Sequence, residues 1–245
     1  MRHILTALML AGTAFAAGAH ANTLLESSEE RIDLVELFTS EGCSSCPPAE
    51  AWLGSLRDDS GLWKKFVPVA FHVNYWDYLG WRDPFASEQF TRRQRTYAAE
   101  WNSTTVYTPG FVLNGKEWQR TNPLPTPTGE KAGRLMANIS EGGTLDVSFL
   151  PSNKIVGLLI VEVAFLGQGI STNVKHGENA GKNLQHDFLA LAMVQGELVQ
   201  SASGLFESRL ELPKTTLAPV SAVAAWVRSP ESLTPIQAVG GWVQP

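Results

Sequence analysis

Short apolar runs separated by polar turns predict two strands with a helix between them in the N-terminal half. Residues 32–38 and 66–73 are apolar at most positions, which is typical of strands covered on both faces. Between them, Trp52, Leu53 and Leu56 form the inward stripe of a helix. We expect it to begin at 43–47, with two prolines in its first turn. This order predicts a right-handed parallel crossover.

The pattern continues with a second helix, a hairpin and a third helix. Apolar residues at helical spacing predict a helix over 84–101. A short apolar strand, 111–113, and its expected return strand, 116–118, flank Asn114-Gly115, a dipeptide that favours a two-residue hairpin turn. An amphipathic pattern predicts a further helix over 130–140. The first half therefore alternates between strands and helices.

The pattern of apolar and polar residues changes near residue 142. From there, apolar segments bounded by Gly, Pro, Ser or Asn follow one another without predicted helices. This pattern predicts an antiparallel sheet or sandwich. We place a domain boundary there, which gives an α/β domain over 31–141 and a β-rich domain over 142–245. The predicted strands of the second domain are 145–149, 156–165, 184–194, 205–212, 220–227 and 236–243.

The first 21 residues have the pattern of a secretory signal peptide: a basic start, a short apolar core and Ala19-His20-Ala21. We therefore expect a protein of the periplasm or the extracellular space, without stable membrane insertion after cleavage. Residues 22–30 are polar and are expected to form a mobile leader. The formal net charge of the whole chain is −5, and its one dense basic cluster, 92–95, is short. We expect no nucleic-acid partner, and we expect that cluster to be a solvated helix face.

Cys43 and Cys46 are the only cysteines in the sequence. Two cysteines are too few for a disulfide scaffold, and a bridge between them closes too small a loop to add much stability. The unpaired N–H groups at a helix start favour an anion, so the pKa of the Cys43 thiol should fall below its usual value. We expect Cys43 to be the exposed attacking thiol and Cys46 the resolving one. The hydroxyls of Ser44 and Ser45 are further candidate hydrogen-bond donors to the sulfur.

The position of the C-x-x-C directly after the first strand, and of Thr108-Pro109 directly before the hairpin, resembles thioredoxin-like proteins. Five blocks resemble, more closely, a secreted thioredoxin-like family of unknown function. They are VELFTSEGCSSCPPA (35–49), HVNYWD (72–77), GWRDPF (80–85), VYTP (106–109) and GENAGKNL (177–184). The resemblance implies an α/β thioredoxin-like N-terminal domain followed by a mainly antiparallel, β-sandwich-like C-terminal domain. It also implies that Pro109 is cis and faces the cysteine pair, and that the backbone of Thr108 meets a bound peptide.

Glu36 is a candidate supporting residue. Thioredoxin carries a buried acid six residues before its first cysteine, and here that position holds Leu37. Glu36 is adjacent but lies on the opposite face of the strand. It is either a proton acceptor or a charge-paired residue, and an acid in so apolar a strand needs a partner such as an Arg or His72.

We predict no cofactor and no metal, with one alternative. His72 together with Cys43 and Cys46 would suit copper or zinc, although a lone His in a strand is more often a hydrogen-bonded core residue. His186 lies in the second half without a spaced partner. Asp83 is expected to cap a helix, and the flexible turn 177–181 to bond across to the other domain through its Glu and Asn.

The leading hypothesis is a thiol–disulfide oxidoreductase that exchanges disulfides with protein or small-molecule thiols through Cys43 and Cys46. The alternative is a non-enzymatic binding protein with a structural disulfide, either a copper carrier or a peptide-binding module. The sequence leaves the oligomeric state, the substrate and the direction of electron flow open.

Overall fold

The computed structural model describes residues 23–119, 124, 126–140, 143–213 and 216–243. The predicted signal peptide lies outside these residues. The two α-helices are α1 (Pro47–Ser55) and α2 (Glu88–Glu100), and 3-10 turns occur at Leu56–Asp58 and Asp77–Leu79. The strands are β1 (Thr23–Glu26), β2 (Asp33–Thr39), β3 (Phe66–His72), β4 (Gly110–Leu113), β5 (Lys116–Glu117), β6 (Gly133–Ile139), β7 (Thr144–Pro151), β8 (Leu159–Gly167), β9 (Ile170–Asn173), β10 (Asn183–His186), β11 (Leu189–Gln200), β12 (Phe206–Glu211), β13 (Ala222–Arg228) and β14 (Pro235–Trp242).

Twelve of these strands form one mixed sheet. Its main path runs β1-β6-β7-β12-β11-β3-β2-β4-β5, with β8 beside β11 and then β13 and β14; β9 and β10 form a separate pair. The long strand β11 is the junction. It pairs in parallel with β3 at Leu189 and Ala70, antiparallel with β8 along most of its length, and antiparallel with β12 at its end.

This architecture corrects the predicted fold class. The structure is 43% strand and 13% helix, with a large mixed sheet rather than an α/β thioredoxin-like domain followed by a separate sandwich. The physical reason is the β11–β3 pairing, which continues the sheet of the first half into the strands of the second. The boundary set between 141 and 142 falls between β6 and β7, which are neighbours in that sheet.

Two local predictions were also wrong. The segment expected to be a helix over 130–140 contains strand β6, which pairs with β1 on one side and β7 on the other. The expected mobile leader instead contributes β1, and the side chain of Gln237 bonds to the backbone oxygens of Ser28 and Glu30. Strand β1, at the edge of the sheet, therefore contains residues that the sequence pattern had assigned to a mobile leader.

The strands β2 and β3 are covered on both faces, as their continuous apolar runs predict. One face packs in a cluster with Phe90 and Tyr97 of α2. The other face packs in a cluster with Ala49 and Leu53 of α1. Because strand side chains alternate between faces, this arrangement sends Glu36 towards α2 and sends Thr39 and His72 towards α1. A further cluster lies among β6, β7, β8, β12, β13 and β14.

No helix within the described ranges is long and apolar enough to cross a membrane.

Candidate functional site

Cys43 and Cys46 form a disulfide in the turn between β2 and α1. Cys46 is the N-cap residue of α1, and Pro47 and Pro48 occupy the first helical positions, where no intrahelical N–H bond is needed. The prediction that Cys43 is exposed was wrong: the relative exposure of both cysteines is 0%. The turn instead exposes Ser44 and Ser45 to solvent.

The Thr108–Pro109 peptide bond is cis and faces the disulfide, as the resemblance implied. Cys43 Sγ lies 3.7 Å from the carbonyl oxygen of Thr108. Because a disulfide sulfur carries no hydrogen, this is a packing contact in the oxidised form, and the same atoms can form a hydrogen bond only after reduction. The indole N–H of Trp76 donates to Thr108 Oγ1 at 2.8 Å and holds this segment in place.

The two serines of the motif have different partners. Ser45 Oγ lies 3.4 Å from Cys43 Sγ, as expected for a donor to that sulfur. Ser44 instead bonds to Glu178, whose carboxylate accepts from the Ser44 backbone N–H at 2.9 Å. The bonds from the Ser44 side chain and backbone lower the pKa of Glu178.

The turn 177–181 does bond across to the first half of the chain, as predicted. Besides the Glu178 contact, Asn179 is fully buried and its amide donates to the carbonyl oxygens of Glu41 at 2.8 Å and Cys43 at 2.9 Å. Glu178 and Asn179 therefore hold the backbone of the disulfide turn from the C-terminal half. We call residues 177–181 the clamp turn.

A groove of about 470 Å³ lies beside the disulfide turn. Ser45 forms part of its wall, and most of the remaining lining is apolar or aromatic. Those lining residues include Pro48, Pro109, Phe111 and Trp118. The groove offers a partly apolar surface next to Ser45.

Glu36 is charge-paired and faces away from the α1 side of the sheet. Its carboxylate accepts from Arg93 Nε at 2.6 Å and from the Tyr97 hydroxyl at 2.5 Å. Leu37 packs on the α1 side, so the predicted separation of these neighbours onto opposite faces is confirmed. Burial raises the pKa of Glu36, although Arg93 opposes this effect. Among the described residues, Glu36 therefore bonds to Arg93 and Tyr97 in a structural ion pair and not to a cysteine sulfur.

Arg93 is the centre of that ion-pair network, which corrects the prediction that cluster 92–95 is a solvated face. Arg92 and Arg95 are exposed, but Arg93 is buried and also donates to Glu162 at 2.8 Å. Burial alone would raise the pKa of Glu162, but Arg93 and Arg228 outweigh it and lower that pKa. The network joins α2 to β2 and β8.

His72 and Asp83 form a buried pair on the α1 face of the sheet. Asp83 Oδ2 lies 2.7 Å from His72 Nδ1 and also accepts from the Glu41 backbone N–H at 2.9 Å. The prediction that Asp83 caps a helix was wrong for α2. The N-cap of α2 is Ser87, whose side chain accepts from the Phe90 N–H. Burial opposes ionisation of both partners, but their mutual attraction raises the pKa of His72 and lowers that of Asp83.

His186, at the end of β10, completes a buried polar cluster with His72. Its Nδ1 lies 2.5 Å from Glu50 Oε2, and its Nε2 lies 3.0 Å from Glu41 Oε1. Burial acts to lower the pKa of His186, but these two carboxylates outweigh it and raise that pKa to about 10. Thr39 donates to Glu50 Oε1 at 2.6 Å, and the indole of Trp81 donates to Glu41 Oε2 at 2.6 Å.

Comparison with known proteins places the chain in a family. Residues 34–228 match the model of a family described as "Protein of unknown function (DUF1223)". The chain belongs to the DUF1223 family. The resemblance drawn from the sequence is confirmed as membership of a family of unknown function, while a thioredoxin-like identity is not shown. No curated protein matches the sequence.

Two solved structures share the fold of this DUF1223 chain. One is the crystal structure of protein AGR_C_4864 from Agrobacterium tumefaciens, with a TM-score of 0.61, 22% identity, and coverage of 87% of this chain and 95% of that one. The other is HBP35 of Porphyromonas gingivalis, with a TM-score of 0.57, 17% identity, and coverage of 88% of this chain and 76% of that one. At these identities the likeness concerns the fold alone.

Sequence reasoning missed the acidic members of the histidine cluster. Glu50 had a local signal, because it lies three residues before Leu53 and therefore on the buried stripe of α1. His186 had none, since its partners Glu41 and Glu50 lie about 140 residues earlier in the chain. Only the packing of β10 against α1 brings them together.

Proposed function

We propose that this DUF1223 protein is a thiol–disulfide oxidoreductase that acts through Cys43 and Cys46. The observation that carries the proposal is the position of its one cysteine pair. The disulfide lies at the start of α1, its Cys43 sulfur packs against Thr108 and Ser45, and a partly apolar groove lies beside Ser45. Donors at a helix start and a serine hydroxyl stabilise a thiolate, which is the species that exchange requires.

The proposed reaction is a two-step exchange. A partner thiolate attacks Cys43 Sγ, the Cys43–Cys46 bond breaks, and Cys46 leaves as a thiolate. A second thiol of the partner then attacks the partner sulfur of the mixed disulfide and releases the Cys43 thiolate. The partner dithiol loses two electrons and becomes a disulfide, while the protein gains them and becomes a dithiol. The same steps in reverse reduce a partner disulfide, and protein or small-molecule thiols are the proposed partners.

Burial of both sulfurs adds a requirement to this proposal. An attacking thiolate needs a line of approach to Cys43, so the turn must open before exchange. The clamp turn supplies the bonds that resist opening, through Glu178 and Asn179. Exchange is therefore expected to be slower than for an exposed disulfide of the same potential.

The test compares Cys43→Ser, Cys46→Ser and wild-type protein in exchange with a mixture of reduced and oxidised glutathione, followed by mass spectrometry. We expect Cys43→Ser to abolish exchange at the site. We expect Cys46→Ser to accumulate a mixed disulfide at Cys43, because the resolving thiol is missing. Exchange by Cys43→Ser at the wild-type rate contradicts the proposal.

The same burial favours a second candidate, a peptide-binding module whose disulfide stays closed. The groove beside Pro109 and Trp118 would then hold the peptide without a redox step. The reduction potential separates the two functions. A value near or below about −300 mV indicates a structural bridge, and a higher value indicates a bridge that cycles.

A further inference from the structure

We propose that Glu50, His72 and His186 form a binding site for one divalent first-row transition metal ion of the zinc(II) type. Each side chain offers one ligand atom, and the three atoms all lie within 4.8 Å of one another. The ligands come from α1, β3 and β10, which the fold brings together on one side of the sheet.

The open nitrogen of His72 is the observation that points to a ligand. His72 is fully buried, its Nδ1 is bonded to Asp83, and its Nε2 has no hydrogen-bond partner among the described residues. The carboxylate oxygen Glu50 Oε2 lies 3.9 Å from His72 Nε2. A buried polar atom without a partner is costly, and a metal ion bound between these two atoms removes that cost.

Each proposed ligand is held by a second polar group, which is the usual arrangement around a metal ion. Asp83 orients His72 through Nδ1, and Glu41 orients His186 through Nε2. Thr39 donates to Glu50 Oε1 and leaves Glu50 Oε2 facing the two imidazoles. These three contacts fix which atom of each side chain faces the site.

The charge of the cluster is compatible with a divalent cation. Glu41, Glu50 and Asp83 bring three buried carboxylates to it. A divalent ion bound by two neutral imidazoles carries the same positive charge as two imidazolium ions, so it can replace two protons without changing the charge of the cluster. At 2.5 Å, His186 Nδ1 and Glu50 Oε2 must share a proton, because two lone pairs would repel at that distance. A metal ion takes the place of that proton and, with bonds of about 2.1 Å in tetrahedral geometry, separates the two atoms to about 3.4 Å.

The donor set selects the class of metal. Two imidazoles and one carboxylate suit zinc and its first-row neighbours, whereas magnesium and calcium prefer a shell of oxygens. In the oxidised protein both sulfurs are in the disulfide and offer no thiolate. The proposed site therefore differs from a copper site built on Cys43, Cys46 and His72, and it does not depend on the proposed exchange reaction.

The test is a titration of the metal-stripped, oxidised protein with Zn²⁺, Co²⁺ and Mg²⁺ by calorimetry, together with the visible spectrum of the Co²⁺ form. We expect one equivalent of Zn²⁺ or Co²⁺ to bind, a Co²⁺ spectrum typical of four-coordination, and no comparable binding of Mg²⁺. Zn²⁺ should also raise the melting temperature of the wild-type protein, because the ligand binds only the folded state.

The variants His186→Gln and Glu50→Gln should each weaken Zn²⁺ binding by more than about 100-fold, since loss of an outer partner alone weakens it 10- to 100-fold. Asp83→Asn removes such an outer partner of His72, and we expect it to weaken Zn²⁺ binding by about 10- to 100-fold. His176→Gln removes an exposed histidine and serves as the matched control, with unchanged binding expected.

Two results overturn the proposal. The first is wild-type protein that binds Zn²⁺ no more tightly than Mg²⁺, and this result stands even if a variant fails to fold. The second is binding seen only after reduction and lost in Cys43→Ser, which assigns the metal to the cysteines.

Discussion

Replacing Arg93 by methionine tests whether the buried ion-pair network behaves as the structure indicates. Methionine keeps most of the side-chain volume but removes the charge and the donors. Arg93 bonds to Glu36 at 2.6 Å and to Glu162 at 2.8 Å, and its guanidinium also stacks on the rings of Phe71, Tyr97 and Trp226. Glu162 keeps a second cation, Arg228, while Glu36 is left without its only described cation.

The expected cost follows from the protonation of Glu36. A buried carboxylate without a cation takes up a proton, and from the ordinary pKa of 4.5 this costs at most about 3.4 kcal/mol at pH 7, at 1.36 kcal/mol per pKa unit. It is an upper value because burial already raises the pKa of Glu36 in the wild type. The value agrees with the roughly 3–5 kcal/mol found when one partner of a buried pair is removed. At pH 5 the same step costs about 0.7 kcal/mol. The loss of stability should therefore shrink by at most about 2.7 kcal/mol between the two pH values.

Urea denaturation at pH 7 and pH 5 measures this difference. Arg92→Met is the matched control: Arg92 is on the same helix but exposed and pairs only loosely with Glu88, so we expect less than about 0.5 kcal/mol. Glu36→Gln combined with Arg93→Met should recover most of the stability, because the neutral amide needs no proton. A cost below about 1 kcal/mol at pH 7 refutes the reasoning, and so does a cost that is the same at both pH values.

Three further predictions concern the candidate site. Glu178→Ala should speed reduction of the disulfide by a phosphine, because Ser44 loses its acceptor in the clamp turn; Lys175→Ala, at a neighbouring exposed position, is the control, and equal rates would remove the proposed role of the clamp turn. Gly110→Ala should destabilise the fold by about 1–3 kcal/mol in urea, because a Cβ there would lie 2.9 Å from the Tyr107 carbonyl oxygen; an unchanged midpoint contradicts this. Trp81→Phe should lower stability by about 1–3 kcal/mol, because Glu41 loses its 2.6 Å indole donor; a melting temperature equal to that of the wild type speaks against this bond.

Most of the local elements around the cysteine pair could be predicted from the sequence. Strands β2 and β3 are marked by continuous apolar runs, and α1 by its prolines and inward stripe. The Asn114-Gly115 turn follows from its two residues, which both adopt positive φ. These features depend on residues close in the chain, so the sequence determines them by itself.

The helix predicted over 130–140 shows where prediction from local sequence pattern fails, since this segment contains strand β6. Apolar residues in 132–139 fit helical spacing, but Leu135 and Ala137 also fit a strand with one buried face, and both are fully buried in β6. The two patterns differ little over so short a segment. The presence of β1 and β7 on either side decided between them, and neither partner is visible from the segment itself.

The sequence by itself determined the cysteine pair and its place at a helix start, and the family resemblance implied that the Thr108-Pro109 segment faces it. The tertiary structure decided that the sulfurs are buried, that Arg93 neutralises Glu36, and that the two halves share one sheet. It also decided the histidine cluster, since His186 meets Glu41 and Glu50 only after β10 packs on α1. These contacts join residues that are 57 positions apart for Arg93 and Glu36 and more than 100 apart for His186 and its carboxylates, and no local periodicity carries that information.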